Sequence, residues 1–517
     1  MAKPREHWGS QIGVILAVAG SAVGLGNFLR FPAKATLNGG GAFMIPYFIA
    51  FLLLGIPLMW VEWTLGRFGG AYGHGTAPGI FHAIGRTRLA KYLGTIGVLG
   101  PFIILIYYMF IESWALGYAF FSMTGKLYQA TDQASMKAFL SGYQGLADNA
   151  FFTGPGTAYV FFAITFLVNF YFIYRGVKGG IETLSKIAMP ILVVVGIALA
   201  ARVLSLGTPD LTKPELSIGN ALGFVWNPDF SKLLDARVWL EAAGQIFFTL
   251  SVGIGVILTY ASYLKRDDDV ALSGLTSASA NEFCEVLLGG SIVIPAAFVF
   301  FGAVGAVEVA KSGTFNIGFV TMPLIFDKLP GGSLFSALWF ILLFLAGITS
   351  SVSLIQPAIS FLEDEFKFSR GKATVVLGVV AFLASQPVIF FLAHGFLDEL
   401  DFWGGTLFLV VFATLETFLF VFGFGMKRGW EEMNRSAKIK LPGLYRFIIK
   451  YVTPAYLLIL LITWTYQQFW DTFRLKGVAP TDLPYVWGAR ALVFGLWGII
   501  IILVAIAWKR RGKEAQS

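Results

Sequence analysis

Apolar stretches of about 20 residues, the length a helix needs to cross the hydrocarbon core of a bilayer, recur twelve times along this chain. They fall near 11–37, 42–70, 89–124, 157–174, 180–205, 238–263, 270–302, 333–362, 374–394, 403–425, 447–468 and 487–508. In lipid every backbone polar group must find its partner inside the segment, so each stretch is expected to be a transmembrane helix. The charge content agrees: 13% of the 517 residues are charged, about half of what a soluble domain carries. The predicted fold class is an all-α membrane protein of twelve transmembrane helices.

The formal net charge of +8 does not describe a nucleic-acid-binding face, because the basic residues form short clusters between the apolar runs. Placing the N-terminus in the cytoplasm collects these clusters on one side, from Lys3 and Arg5 through Arg86, Arg175, Arg266, Lys367 and Lys427 to Lys509-Arg510-Arg511. By the positive-inside rule both termini are cytoplasmic. Ala17-Val18-Ala19 imitates a signal-peptidase site, but the apolar run continues past it to Phe31, and no cleavage is expected. The single cysteine, Cys284, rules out a disulfide framework, and the four histidines have no ligand-like spacing.

Two runs are interrupted in matching places. The first reads Gly20-Ser-Ala-Val-Gly24-Leu-Gly26-Asn27-Phe28-Leu-Arg30, and the sixth reads Gln245-Ile-Phe-Phe248-Thr249-Leu-Ser251-Val-Gly253-Ile254-Gly255. Close helix packing through small residues is one reading of these glycines. Polar groups at membrane depth are costly unless they serve a site, and that favours the other reading: two broken helices opening two inverted five-helix repeats. A break leaves unpaired carbonyls on one half-helix and unpaired amides on the next. Carbonyls suit a sodium ion or an ammonium group and amides suit a carboxylate, so a zwitterionic amino acid with Na⁺ matches both ends. In the eighth run Ala346, Thr349 and Ser350 share one helical face, and its hydroxyls either add oxygen ligands for a hard cation or bond back to their own helix.

The stretches Arg5-Glu-His-Trp8, Ala22-Val-Gly-Leu-Gly-Asn-Phe-Leu-Arg-Phe-Pro32, Asn38-Gly-Gly-Gly-Ala-Phe, Gly244-Gln-Ile-Phe-Phe-Thr-Leu-Ser251 and Asp401-Phe-Trp closely resemble the neurotransmitter:sodium symporter family, above all its bacterial leucine-carrying members. The resemblance implies one sodium site at Ala22, Asn27, Thr249 and Asn281 with the substrate carboxylate, and a second at Gly20, Val23, Ala346, Thr349 and Ser350. It implies a substrate held by Ala22, Gly24, Leu25, Gly26, Tyr108, Phe248, Thr249, Ser251 and Ser350, with its side chain against Ile104, Ile254 and Leu354. The outer gate it implies is Arg30 reaching towards Asp401 with Gln245 nearby, above a lid of Tyr108 and Phe248. The inner gate is Arg5 with Asp364, supported by Trp8, Ser262 and Tyr263. Two departures bear on the substrate. Leucine-carrying members have Phe at the position of Ile254, and Val and Ile at those of Ile104 and Leu354, so the pocket stays apolar but changes shape.

Four acids lie inside apolar runs: Glu62, Glu112, Glu282 and Glu285. Glu62 is expected to brace the unwound segments by accepting backbone N–H bonds. Glu285 stands one turn beyond Asn281, where chloride-dependent relatives carry a small hydroxyl residue, so its carboxylate is expected to compensate the sodium charge. The expectation is therefore a chloride-independent symporter, not an enzyme, that couples two Na⁺ to a small neutral amino acid. An aliphatic or thioether side chain is favoured over the alternative, an aromatic one. A channel lacks its continuous polar path here, a membrane hydrolase lacks its histidine, and a non-transporting sensor of the same fold is the remaining rival. Residues 1–205 would hold the N-terminus and first repeat, 206–425 the second repeat with a lid loop near 303–332, and 426–517 the last two helices and tail. The plasma membrane is the expected location, the inner membrane of a bacterium if the resemblance carries, with a homodimer an open option.

Overall fold

The computed structural model describes residues 6–85 and 87–514, and among them there is no β-strand. Ten helices are long and apolar enough to cross a membrane, and a bent pair, Gln11–Ala22 with Leu25–Leu37, makes an eleventh span. The twelfth is the sixth in order: Ala236–Thr249 and Val256–Ala261, separated by six residues without helical geometry. All twelve expected crossings are present, and five spans precede the second break, so the second repeat enters the membrane inverted.

Local chemistry sets both breaks. The first span starts on Ser10, whose side chain caps the Gly13 amide, and runs to Ala22. Val23 (ψ 96°) and Gly24 (φ −121°, ψ −169°) are extended, and the helix restarts at Leu25 with its axis turned by 49°. Asn27 permits the restart, because its Oδ1 accepts the Gly24 N–H at 2.8 Å, a role normally filled by a capping residue. In the sixth span Ser251, Gly253 and Gly255 have φ of 53°, 77° and 80°, left-handed conformations that an α-helix cannot contain.

Burial sorts the spans. The most apolar window of Leu89–Met123 is 89% buried and that of Gly332–Phe366 is 78% buried, whereas that of Leu483–Arg511 is 17% buried. The third and eighth spans therefore pack inside, beside the broken pair. The fourth, ninth, eleventh and twelfth show residues such as Leu167, Val379, Ile462 and Ile502 outward, as helices facing lipid do.

The seventh span kinks at Gly302 (φ 72°, ψ 175°), and a further stretch of helix runs from there to Lys311. Thr314–Asp327 forms the short helical part of the lid.

Candidate functional site

A cavity of about 340 Å³ lies between the two breaks and the third, eighth and tenth spans. All twelve residues expected to hold the substrate line it. Its floor is backbone. The Leu25 N–H, first of the restarted half-helix, points at the Tyr108 hydroxyl at 3.2 Å. A Cβ at Gly24 would sit 2.9 Å from that hydroxyl, and one at Gly26 would sit 2.5 Å from the Phe248 ring, so this backbone approaches its neighbours more closely than any side chain permits. Ile104, Ile254 and Leu354 form an apolar wall.

An oxygen-rich cluster lies beside the cavity. The Asn27 amide nitrogen donates to Thr249 Oγ1 at 3.1 Å, to Asn281 Oδ1 at 2.9 Å and to Glu285 Oε2 at 3.1 Å. The Asn281 amide nitrogen in turn donates to the Thr249 hydroxyl at 2.9 Å. The Thr249 hydroxyl bonds to Glu285, whose other oxygen accepts Gln245 Nε2 at 2.6 Å. Asn27, Thr249, Asn281 and Glu285 are all buried. Acceptors from the sixth and seventh spans thus converge on the Asn27 amide of the first, and oxygen groups of this kind suit a hard cation.

The second expected cluster forms where the first span opens. The Ser350 hydroxyl faces the carbonyls of Gly20 (3.3 Å), Ser21 (3.1 Å) and Val23 (3.4 Å), which the break leaves without helical partners. Thr349 is buried beside them, its hydroxyl turned back to the carbonyls of Leu345 and Ala346 at 3.0 and 3.2 Å. The Ser350 hydroxyl thus reaches across to the first span, while that of Thr349 bonds back to its own helix.

The expected gates need revision. Arg30 and Asp401 line the same cavity, but among the described residues no ion pair joins them. The Arg30 guanidinium lies over the Phe248 ring, 4.1 Å from its centroid, and Asp401 accepts the Tyr107 hydroxyl at 2.6 Å. Each already has a partner, and the cavity continues between them towards Lys34, Phe315 and Asp398. Gln245 donates to Glu285. At the opposite end, Trp8 is buried and donates to the Tyr260 carbonyl at 2.9 Å, while the Tyr263 hydroxyl is 2.6 Å from Ser360 Oγ. Ser262 is buried and donates to the Thr259 carbonyl at 2.5 Å. Asp364 accepts the Gly75 N–H at 2.8 Å, and Arg5 lies outside the described residues. The inner end is packed and the outer end open.

Glu62 takes its expected place, its Oε1 accepting the Gly253 N–H of the second break at 2.6 Å. Its other neighbour, Glu416, escaped the sequence reading, although it too is an acid within an apolar run, the tenth, and is fully buried. Gly405, Thr406 and Leu409 of that span also line the cavity and carry no sequence signal that marks them. Glu112 and Glu282 serve packing networks, accepting Asn169 at 3.0 Å and Tyr47 at 2.6 Å.

The sequence model of the Sodium:neurotransmitter symporter family matches residues 5–141 and 133–509. The chain belongs to this family. A sodium-dependent transporter of Methanocaldococcus jannaschii is 32% identical over 498 residues, 93% of this chain and 96% of that protein. The sodium-dependent serotonin transporter of Drosophila melanogaster is 27% identical, over 89% of this chain and 76% of that protein. Among solved structures, MhsT in complex with L-phenylalanine matches with a TM-score of 0.75 and 30% identity, over 89% of this chain and all of that one. This symporter-family protein is thus a multi-pass, sodium-dependent membrane transporter and not an enzyme.

Proposed function

We propose that the protein is a secondary active symporter that moves a neutral, apolar amino acid with two sodium ions and without chloride. The observation that carries this reading is the facing of the two breaks across one apolar-walled cavity, with an oxygen cluster on each side of it. The substrate carboxylate binds between the Leu25 amide and the Tyr108 hydroxyl and shares the first sodium with Ala22, Asn27, Thr249 and Asn281. The second sodium takes the carbonyls of Gly20, Val23 and Ala346 with the hydroxyls of Thr349 and Ser350. Glu285 supplies the negative charge that two buried cations require.

Alternating access then follows from the two ends of the cavity. Substrate enters from the outer end, and Phe248 with Tyr108 covers it as Arg30 draws towards Asp401. Release at the inner end requires the packing around Trp8 to loosen, together with the Arg5–Asp364 pair. The termini are cytoplasmic. An aliphatic or thioether side chain fits the Ile104–Ile254–Leu354 wall. An aromatic one is the second reading, favoured by the L-phenylalanine bound to MhsT. The test is uptake of ²²Na⁺ into proteoliposomes: stimulation by a neutral amino acid supports symport, and uptake indifferent to all amino acids sinks it.

A further inference from the structure

We propose that Arg490 and Glu399 are positioning residues that hold Asp401 in place from the twelfth span, a role that rests on the reading of Asp401 as an outer-gate carboxylate. Asp401 lies in the opening turns of the tenth span, Phe396–Met433, just after a left-handed Gly395 (φ 72°) and just before a π-helical turn, Phe402–Leu407. The first turns of a helix have amides without helical partners and fray unless contacts from outside hold them. Something outside must fix the helix, and the same helix also brings Leu397 and Asp398 to the cavity.

The third span reaches Asp401 itself through the Tyr107 hydroxyl, and the contacts on its flanks come from the opposite direction. Glu399 Oε1 accepts Arg490 Nε at 2.6 Å and the Trp403 indole N–H at 2.7 Å, so one carboxylate oxygen ties together residues on both sides of Asp401. Arg490, on the helix Leu483–Glu514, spends its other donors on the carbonyls of Phe473 (2.8 Å) and Thr472 (2.9 Å) in the helical turn Trp470–Phe473. The fixed fork of a guanidinium fits three acceptors at once where a lysine cannot. The side chains of Arg490 and Glu399 are 4% and 6% exposed, so water does not weaken the pair. Before Gly395 a second contact repeats the pattern: His394 lies 2.8 Å from Asp482 and stacks on Tyr485 with centroids 4.1 Å apart. Both flanks of the gate helix are therefore held by the twelfth span and the loop before it. That span otherwise faces mostly outward, and none of its described residues lines the cavity.

The test is sodium-driven uptake by the full-length protein in proteoliposomes, with radiolabelled L-leucine and L-phenylalanine as probes, for R490Q, E399Q, R490K, D401N and the double variant R490Q/D401N. If the clasp acts through Asp401, R490Q and D401N each lower turnover by about five- to tenfold, and the double variant is no slower than D401N, because coupled residues are not additive. R490K, which keeps the charge and loses the fork, recovers part of the loss. Additive losses in the double variant overturn the proposal, as does normal turnover in both R490Q and E399Q beside an impaired D401N. A normal D401N removes the outer-gate reading itself. Should R490Q not assemble, E399Q, R490K and the E399Q/D401N pair answer the same question.

Discussion

The amide of Asn27 and the carboxylate of Glu285 meet at 3.1 Å, joining the restart of the first broken span to a π-helical turn, Phe283–Gly289, of the seventh. The contact places a fixed acid against the residue that both caps the break and faces the cavity. If Glu285 stands in for an anion, uptake by the unmodified protein persists when chloride is replaced by gluconate. Glu285→Ser, which removes the charge and leaves a hydroxyl, should then make uptake depend on chloride. A chloride requirement in the unmodified protein would rule out this role for Glu285.

Sodium and substrate share ligands in the proposed site, so each must raise the affinity for the other by the same factor. Exchanging Na⁺ for choline should weaken binding of the amino acid by at least about tenfold, within the usual coupling range. Asn27→Ala should reduce that sodium effect by removing a ligand and the cap of the Gly24 amide together. Thr349→Ala should reduce it through the second cluster alone. Equilibrium binding in the two buffers decides the matter, and equal affinities in both would end the ligand assignment.

Glu62 is the acceptor for the Gly253 N–H in the second break. Glu62→Gln keeps an oxygen there, whereas Glu62→Ala leaves a buried donor unpaired at a cost of about 1–3 kcal/mol. The alanine variant should therefore melt lower in detergent than the glutamine variant, and its uptake should fall with it. Equal melting points for the two would show that the bond contributes no stability.

Most of this fold was legible because the bilayer allows so little choice. Twelve apolar runs gave twelve spans, and Gly24, Gly26, Gly253 and Gly255 marked where two of them open. The cluster around Asn27 was legible for the same reason, since Asn, Thr and Glu are too costly at membrane depth to stand there without a site to serve. Contacts made by residues of unremarkable type were not legible. Nothing in the chain announces that Leu409 and Thr406 line the cavity, because an apolar or small residue on a membrane helix faces lipid, core or site with the same chemistry. The state of the gate was equally hidden: Arg30 rests on Phe248 and Asp401 on Tyr107, a choice of partners set by packing and not by sequence spacing.

Substrate choice follows from the wall of the cavity. Ile104, Ile254 and Leu354 offer no charge or hydrogen bond to a side chain, so an acidic or basic amino acid would be buried unpaired at a cost of several kcal/mol. Neutral, apolar amino acids remain. Ile254, where leucine-carrying relatives have an aromatic ring, opens one side, and Ile104 narrows another by one methylene relative to valine, worth about 0.8 kcal/mol. Narrowing Ile104 further, by Ile104→Phe, should exclude the larger substrates first, while Ile104→Ala should admit them. A competition panel of all twenty amino acids against bound radiolabelled leucine is the measurement. Leucine, isoleucine, valine or methionine should displace the label at the lowest concentrations, with the aromatic amino acids next and the charged ones without effect. Tryptophan or phenylalanine ahead of every aliphatic would reverse the ranking and make the opened wall at Ile254 the dominant feature. Glutamate or lysine ahead of them all would mean that the substrate side chain lies against another wall of the cavity, the one that runs out to Lys34 and Asp398.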